Sequence, residues 1–213
     1  MNETRALDTG ISLIDKGGPV MLVLLALSVI ALTIILLKIY QFGRSRLRNT
    51  VFINQTIALL HNDGAETALR SLVSNPHPIA HVMDTTLRAG TDMSLSAEDR
   101  DTEIDRVGSE EIRNLESYLR GLEVIANLSP LLGLLGTVIG MIKAFARLET
   151  AGTKVDPSIL AGGIWEALLT TAFGLSVAIP ALAAFYILEG EVENVRAQMK
   201  DSTTRVLGIL SNR

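Results

Sequence analysis

Hydrophobic and charged positions are segregated along this chain. Residues 17–37, 124–142 and 167–188, windows of 21, 19 and 22 residues, contain no Asp, Glu, Lys or Arg. A helix rises about 1.5 Å per residue, so each window spans roughly 28–33 Å, the depth of a bilayer's hydrocarbon core. A soluble fold interleaves charge with apolar faces, whereas here all the charge lies outside the windows, as in a membrane protein. The pattern predicts an all-α membrane protein with three transmembrane helices, over 17–40, 124–146 and 164–188. The first, VMLVLLALSVIALTIILL, is apolar all round. It reads as a retained anchor, because its flank KIYQFGRSRLR offers no small-residue cleavage site and residues 1–16 are slightly acidic.

Between the windows the pattern is helical. Residues 38–123 hold 10 basic and 13 acidic residues, with breaks at Asn75-Pro-His-Pro78 and Ala89-Gly-Thr-Asp92. Asp63 with Glu66, and Ser96 with Asp99, have the spacing of helix-start capping boxes. From Ser96 onward Ile104, Val107, Glu111, Leu115, Tyr118, Leu122 and Ile125 recur every three to four positions, and no proline intervenes before Pro130. The spacing predicts one helix running unbroken into the second span, which also avoids unpaired backbone groups at the membrane boundary. Val192, Val195, Met199 and Val206 extend the third span in the same way into a C-terminal helix over 189–213. A separate amphipathic helix after a short hinge is the alternative for either extension.

Direction follows from Lys and Arg near the spans. Lys38, Arg44, Arg46 and Arg48 follow the first span without a nearby acid, whereas Arg5 and Lys16 precede it among Glu3, Asp8 and Asp15. This sets residues 1–16 and the loop 147–163 outside, and residues 41–123 and 189–213 inside. Lys143, Arg147 and Lys154 fall on the outer side, so the first span dominates the assignment.

Composition narrows the chemistry. The chain has no cysteine, which excludes thiolate catalysis and Cys-ligated metal centres. It has no P-loop, dinucleotide fingerprint, Gly-x-Ser-x-Gly or His-Glu-x-x-His motif. Net charge is −4 and no basic stripe suits nucleic acid. An enzyme, a cofactor and a metal site are therefore not expected. His77 and His81, four apart beside a Pro-x-Pro turn, read as a surface pair rather than metal ligands.

The second and third spans differ from the first. Gly133, Gly136 and Gly140 place small residues along the second, and Ala167, Thr171, Gly174 and Ala178 do so along the third, which suits close helix approach. Thr137 lies mid-span on one helix, and Thr170, Thr171 and Ser176 on the other. A membrane threonine often only bonds the carbonyl one turn back, but small residues and hydroxyls on two adjacent helices also suit a lined pathway. No window holds an acid, base or histidine; Glu166 and Glu189 only flank the third. Proton movement normally needs an intramembrane ionisable group, so that group is expected on another polypeptide. Trp165 and Tyr186 read as interfacial anchors near opposite ends of the third span.

Pro130-Leu-Leu-Gly-Leu-Leu-Gly-Thr-Val-x-Gly-Met141, followed by Glu166-Ala-Leu-x-x-Thr-Ala-x-Gly-Leu-x-x-Ala-Ile-Pro180, resembles the MotA/TolQ/ExbB proton-channel family, most nearly its ExbB/TolQ branch. The resemblance covers roughly residues 15–200. It implies three spans with a periplasmic N-terminus, a cytoplasmic C-terminus and long cytoplasmic helical extensions, in a Gram-negative inner membrane. It implies a homopentamer around two transmembrane helices of an ExbD- or TolR-like partner that carries the membrane Asp. A TonB-like or TolA-like protein is the implied recipient of the motion that proton flow drives. By motif, Thr137 and Thr171 match the pore threonines, Glu166 the family's acid at the start of the third span, and Pro180 its Ala-Ile-Pro proline. Thr170 is a second hydroxyl or a neutral variant. MotA-type subunits have four spans, which weighs against a flagellar role. Energised outer-membrane uptake, TolQ-like service to envelope integrity and a non-conducting membrane scaffold remain the three functional alternatives.

Overall fold

The computed structural model describes residues 2–151 and 157–211, and every described element is α-helical. In chain order these are α1 (Asn2–Arg44), α2 (Val51–Asp63), α3 (Ala65–Leu72), α4 (Pro78–Thr91), α5 (Ala97–Glu116), α6 (Leu119–Ala151) and α7 (Pro157–Ser211). Three stretches are long and apolar enough to cross a membrane: Gly18–Arg44, part of Ala97–Thr150 and part of Leu160–Ser211. Their mean hydropathies are 3.2, 1.8 and 1.9, so the first differs in kind from the other two. The chain divides into two compact units, one of Met1–Ile35 with Arg120–Tyr186, the other of Leu36–Leu119 with Ile187–Arg213.

The first unit holds the apolar parts of α1, α6 and α7. At the start of its apolar run α1 bends at Gly18, whose φ of 64° and ψ of −162° only glycine adopts readily, followed by Pro19 with no amide proton. Beyond the bend α1 buries a narrow stripe, Val20, Met21, Leu24, Ala31 and Ile34. Leu22, Val29, Leu32 and Leu36 stand exposed on its other faces. That is a lipid-facing pattern with one seam turned inward.

The second unit has an ordinary apolar core. Ile53 and Leu60 of α2, Leu72 of α3, Ile79, Met83 and Leu87 of α4, and Ile104, Ile112 and Leu115 of α5 are buried. Val192, Val195, Met199 and Val206 of α7 join the buried set at helical spacing. Each fully buried Leu or Ile contributes about 2 kcal/mol. Buried hydroxyls are satisfied locally: Thr86 donates to the Val82 carbonyl at 2.7 Å and Thr56 meets Ser71 at 3.1 Å.

The long C-terminal extension of the third span forms as predicted, since α7 is one helix of 55 residues despite Pro180. The extension of the second does not. The single helix expected from Ser96 through the second span is two, because Ser117 leaves helical geometry (ψ 138°) and Tyr118 takes a φ of 64°. The capping predictions also divide. Ser96 caps α5 as expected, accepting from the Asp99 amide at 3.1 Å while its hydroxyl donates to the Asp99 carboxylate at 2.7 Å. Asp63 caps nothing: α2 runs through it, Gly64 precedes α3 with a φ of 93°, and Glu66 pairs with Arg70 instead. Glycine at 64 makes the abrupt reversal available, and a side-chain cap is not needed.

Candidate functional site in the α6–α7 pair

Small residues recur every three or four positions on both helices of the pair. On α6 they are Ser129, Gly133, Gly136, Gly140 and Ala144; on α7 they are Gly163, Ala167, Thr170 and Gly174. Such spacing puts each set on one helix face, and the two faces meet in antiparallel order. A Cβ added at Gly163 would lie 2.4 Å from the Ala144 Cβ, at Gly140 3.1 Å from the Ala167 Cβ, and at Gly136 2.4 Å from Thr170 Oγ1. One added at Gly133 would lie 3.0 Å from the Thr170 carbonyl oxygen, and at Gly174 2.6 Å from that of Ser129. The helices approach backbone to backbone, as small-xxx-small contacts in membranes allow.

Two threonines sit in this seam. Thr170 is 2% exposed; its hydroxyl lies 2.7 Å from the Ala167 carbonyl and 3.3 Å from that of Gly133. Thr171 is half-buried and donates to the Gly133 carbonyl at 3.1 Å. One hydroxyl has one proton, so Thr170 spends its proton on its own helix and Thr171 provides the hydrogen bond across the pair. Thr137 is also half-buried and donates to Leu134 at 2.6 Å, and the exposed Ser176 donates to Phe173 at 2.7 Å. All four hydroxyl protons are thereby committed to backbone carbonyls, and the hydroxyl lone pairs remain open.

The predicted residues are not all gathered at one point. Gly133, Gly136, Gly140, Gly174, Thr170 and Thr171 share the seam. Thr137 lines a separate open cleft of about 600 Å³ with Met141, Phe145 and Glu149. Glu166 and Thr170, one turn apart on α7, line a cavity of about 10 Å³ with Gly18, Gly140 and Lys143, enough for about one water molecule. Pro180, expected to pack between helices, is exposed on α7, as are Trp165 and Tyr186.

Two side chains have roles that the sequence reading missed. His77, expected at the surface, is 1% exposed. It caps α4: its Nδ1 accepts from the Ile79 amide at 3.1 Å, which leaves Nε2–H to donate to the Leu47 carbonyl at 3.1 Å. Its ring lies 5.1 Å from that of Phe52. Burial pushes its pKa below the ordinary value, the bond to Leu47 opposes this, and nearby His81 adds to it. The signal was its place before Pro78, because proline favours the first helical position and leaves the preceding residue as cap. His81 is exposed and meets Glu111 at 2.9 Å. Among the described residues no cluster of three His, Asp or Glu could hold a metal.

The second is Lys38, 1% exposed, at the far end of the α1 seam. Its Nζ donates to the Leu115 carbonyl at 2.9 Å, to Gln41 Oε1 at 2.8 Å and to Ser117 Oγ at 3.1 Å, with the Asn114 carbonyl at 3.5 Å. The signal was periodicity: position 38 continues the buried spacing of Ala31 and Ile34.

These features define a multi-pass helical membrane protein with a hydroxyl-bearing, small-residue pair of spans. Residues 75–201 match the MotA/TolQ/ExbB proton channel family, and the chain belongs to that family. This is a transport family, so the chain is not an enzyme. It is 29% identical over 187 residues to a biopolymer transport protein ExbB homolog of Methanothermobacter thermautotrophicus, covering 87% of this chain and 65% of that protein. It is 34% identical over 180 residues to the ExbB-like 1 biopolymer transport protein of Synechocystis, covering 81% and 68% respectively. It is 44% identical over 75 residues to the Tol-Pal system protein TolQ of Haemophilus influenzae, covering 35% and 32%. The chain thus spans just under two thirds of the Methanothermobacter relative's length and about a third of that of TolQ.

Proposed function

We propose that the chain is the ExbB-type channel-forming subunit of a motor driven by the proton-motive force in a Gram-negative inner membrane, energising TonB-dependent transport across the outer membrane. Its N-terminus lies in the periplasm and the second unit in the cytoplasm. It acts as a homopentamer around the transmembrane helices of an ExbD- or TolR-like partner and passes motion to a TonB-like protein. The observation that carries this reading is the commitment of the Thr137, Thr170 and Thr171 protons to backbone carbonyls within the windows 124–142 and 167–188, which hold no Asp, Glu, Lys, Arg or His.

The chemistry follows from that commitment. A protonated carboxyl carries a donor, and an ionised one only acceptors. Hydroxyls whose protons are already bonded offer lone pairs, so they receive a neutral partner Asp and leave a charged one without a donor. Desolvation adds to the same preference. The partner acid therefore enters the hydroxyl-lined region protonated and leaves it on ionisation, which ties its position to its proton. Glu166, at the outer end of the third span, supplies the exchange point with the periplasm. Each proton crossing about 100 mV releases about 2.3 kcal/mol, so work of ten kcal/mol or more draws on several protons or an added pH gradient.

The test is proton flux into liposomes holding the chain with its ExbD-like partner, read by a pH-sensitive dye. Replacing Thr137 and Thr171 together with valine keeps side-chain shape and removes both hydroxyls. Flux is expected to fall to background while the complex still assembles. Undiminished flux in that variant would overturn the role of the hydroxyls, and absence of flux with the unsubstituted chain would overturn the reading in favour of a non-conducting scaffold. The 44% identity to TolQ favours a second reading, a TolQ-like subunit for envelope integrity. Complementation of cells lacking ExbB against cells lacking TolQ separates the two.

A further inference from the structure

The chain breaks between α5 and α6 at a place where its sequence favours continuing. Ser117 and Tyr118 include neither glycine nor proline, and the buried series Ile104, Ile112, Leu115, Leu119 and Leu122 keeps one helical phase across the break. Tyr118 nevertheless holds a φ of 64°, unfavourable for a residue with a Cβ. Strain of this kind persists only where surrounding contacts impose it.

The contact that imposes it is Lys38. A helix that stops leaves its last carbonyls without amide partners, and the ammonium sits on those of Leu115 and, more weakly, Asn114. Gln41 and Ser117 complete its shell and also donate to the Asn114 carbonyl, at 3.3 and 2.8 Å. The Phe42 ring lies 5.8 Å away. A cation at a helix C-terminus is well placed for the helix dipole. Among the described residues, however, no carboxylate pairs with Lys38, and a buried charge without a counter-ion carries a desolvation cost. Each half of the arrangement is thus unfavourable alone: the bent backbone needs the ammonium, and the buried ammonium needs the freed carbonyls.

We propose that Ser117 and Tyr118 form a two-position joint, and that Lys38 is its latch and the positioning residue for the start of α6. With the ammonium seated, the backbone is broken as observed. With the ammonium withdrawn, the amides of residues 118–121 bond to the carbonyls of residues 114–117 and α5 runs on into α6. The joint belongs to the chain's own backbone and does not depend on which envelope system the protein serves.

Amide hydrogen exchange on the full chain in lipid nanodiscs tests this. In Lys38→Met, exchange at residues 119–121 is expected to slow at least tenfold, because the straightened helix gives those amides partners. Core amides at Leu60 and Leu87 keep their rates. Adding Tyr118→Gly to Lys38→Met is expected to restore fast exchange, since glycine takes a positive φ without strain. Tyr118→Gly alone is expected to speed exchange at 119–121 several-fold, and this variant keeps the test open if Lys38→Met fails to fold. Unchanged exchange at 119–121 in both single variants, or in Tyr118→Gly where Lys38→Met does not fold, would overturn the joint and leave Lys38 as a structural residue only.

Discussion

Gly174→Ala is the smallest perturbation that the α6–α7 seam should refuse. The new Cβ would stand 2.6 Å from the Ser129 carbonyl oxygen, 3.1 Å from Gly133 Cα and 3.3 Å from Gly133 N. All three are backbone atoms of α6, so no rotamer change relieves them. Ordinary contact begins near 3.4 Å, so the two helices must part locally by about 0.8 Å. The Thr171 hydroxyl bond to the Gly133 carbonyl, now 3.1 Å, would stretch beyond hydrogen-bonding range. Overpacking costs about 1–3 kcal/mol and the lost bond about 1 kcal/mol, together about 2–4 kcal/mol. For a chain of this size that lowers the melting temperature by roughly 5–15 °C. The same substitution at Gly162 and Gly190, also on α7, meets nothing within 4 Å; there alanine is expected to be neutral or to stabilise by up to about 1 kcal/mol. Thermal unfolding of the three variants in one lipid environment decides the matter. If Gly174→Ala melts with Gly162→Ala, the seam is not closed backbone to backbone.

Two further outcomes follow from caps in the second unit. The pKa of His77 lies below its ordinary 6.5 when folded, so below about pH 6.5 the unfolded chain binds more protons. The stability His77 provides is complete above that pH and is lost as pH falls towards the folded pKa. His77→Asn keeps a cap acceptor without the titration, and thermal unfolding between pH 7.5 and 5.5 should show a flatter profile than the parent. Ser96→Ala should destabilise α5 by about 1 kcal/mol, visible as faster amide exchange in its first turn. Asp63→Ala should leave α3 unchanged, since Gly64 and not Asp63 precedes it; equal effects of the two substitutions would contradict these cap assignments.

The spans were legible because the bilayer acts on composition over some twenty residues, and no local contact overrides it. The seam was legible for a similar reason: glycine at 133, 136, 140 and 174 has few uses in an apolar helix besides close approach. What stayed hidden depended on partners distant in sequence. Lys38 lies 77 residues from Leu115, and the contact between them falls at a break where the apolar period runs on. His77 lies 30 residues from Leu47, and its bond there and its ring contact with Phe52 are not readable from its neighbours in sequence. The Asp63 reading failed because glycine at 64 offered the backbone a reversal that needs no side chain. Thr137 and Pro180 showed their motif in sequence, yet neither meets the seam within this chain.

The seam between α6 and α7 has a further consequence, in entropy. It is made of glycine, alanine, serine and threonine, side chains with few or no rotamers to lose on burial. Closing it orders backbone alone, so it forms at little side-chain entropic cost and has almost nothing soft with which to yield. Larger side chains in a membrane helix pair cushion displacement by changing rotamer; these have no such response. The pair therefore has few rotamer changes with which to absorb a displacement of α7 against α6.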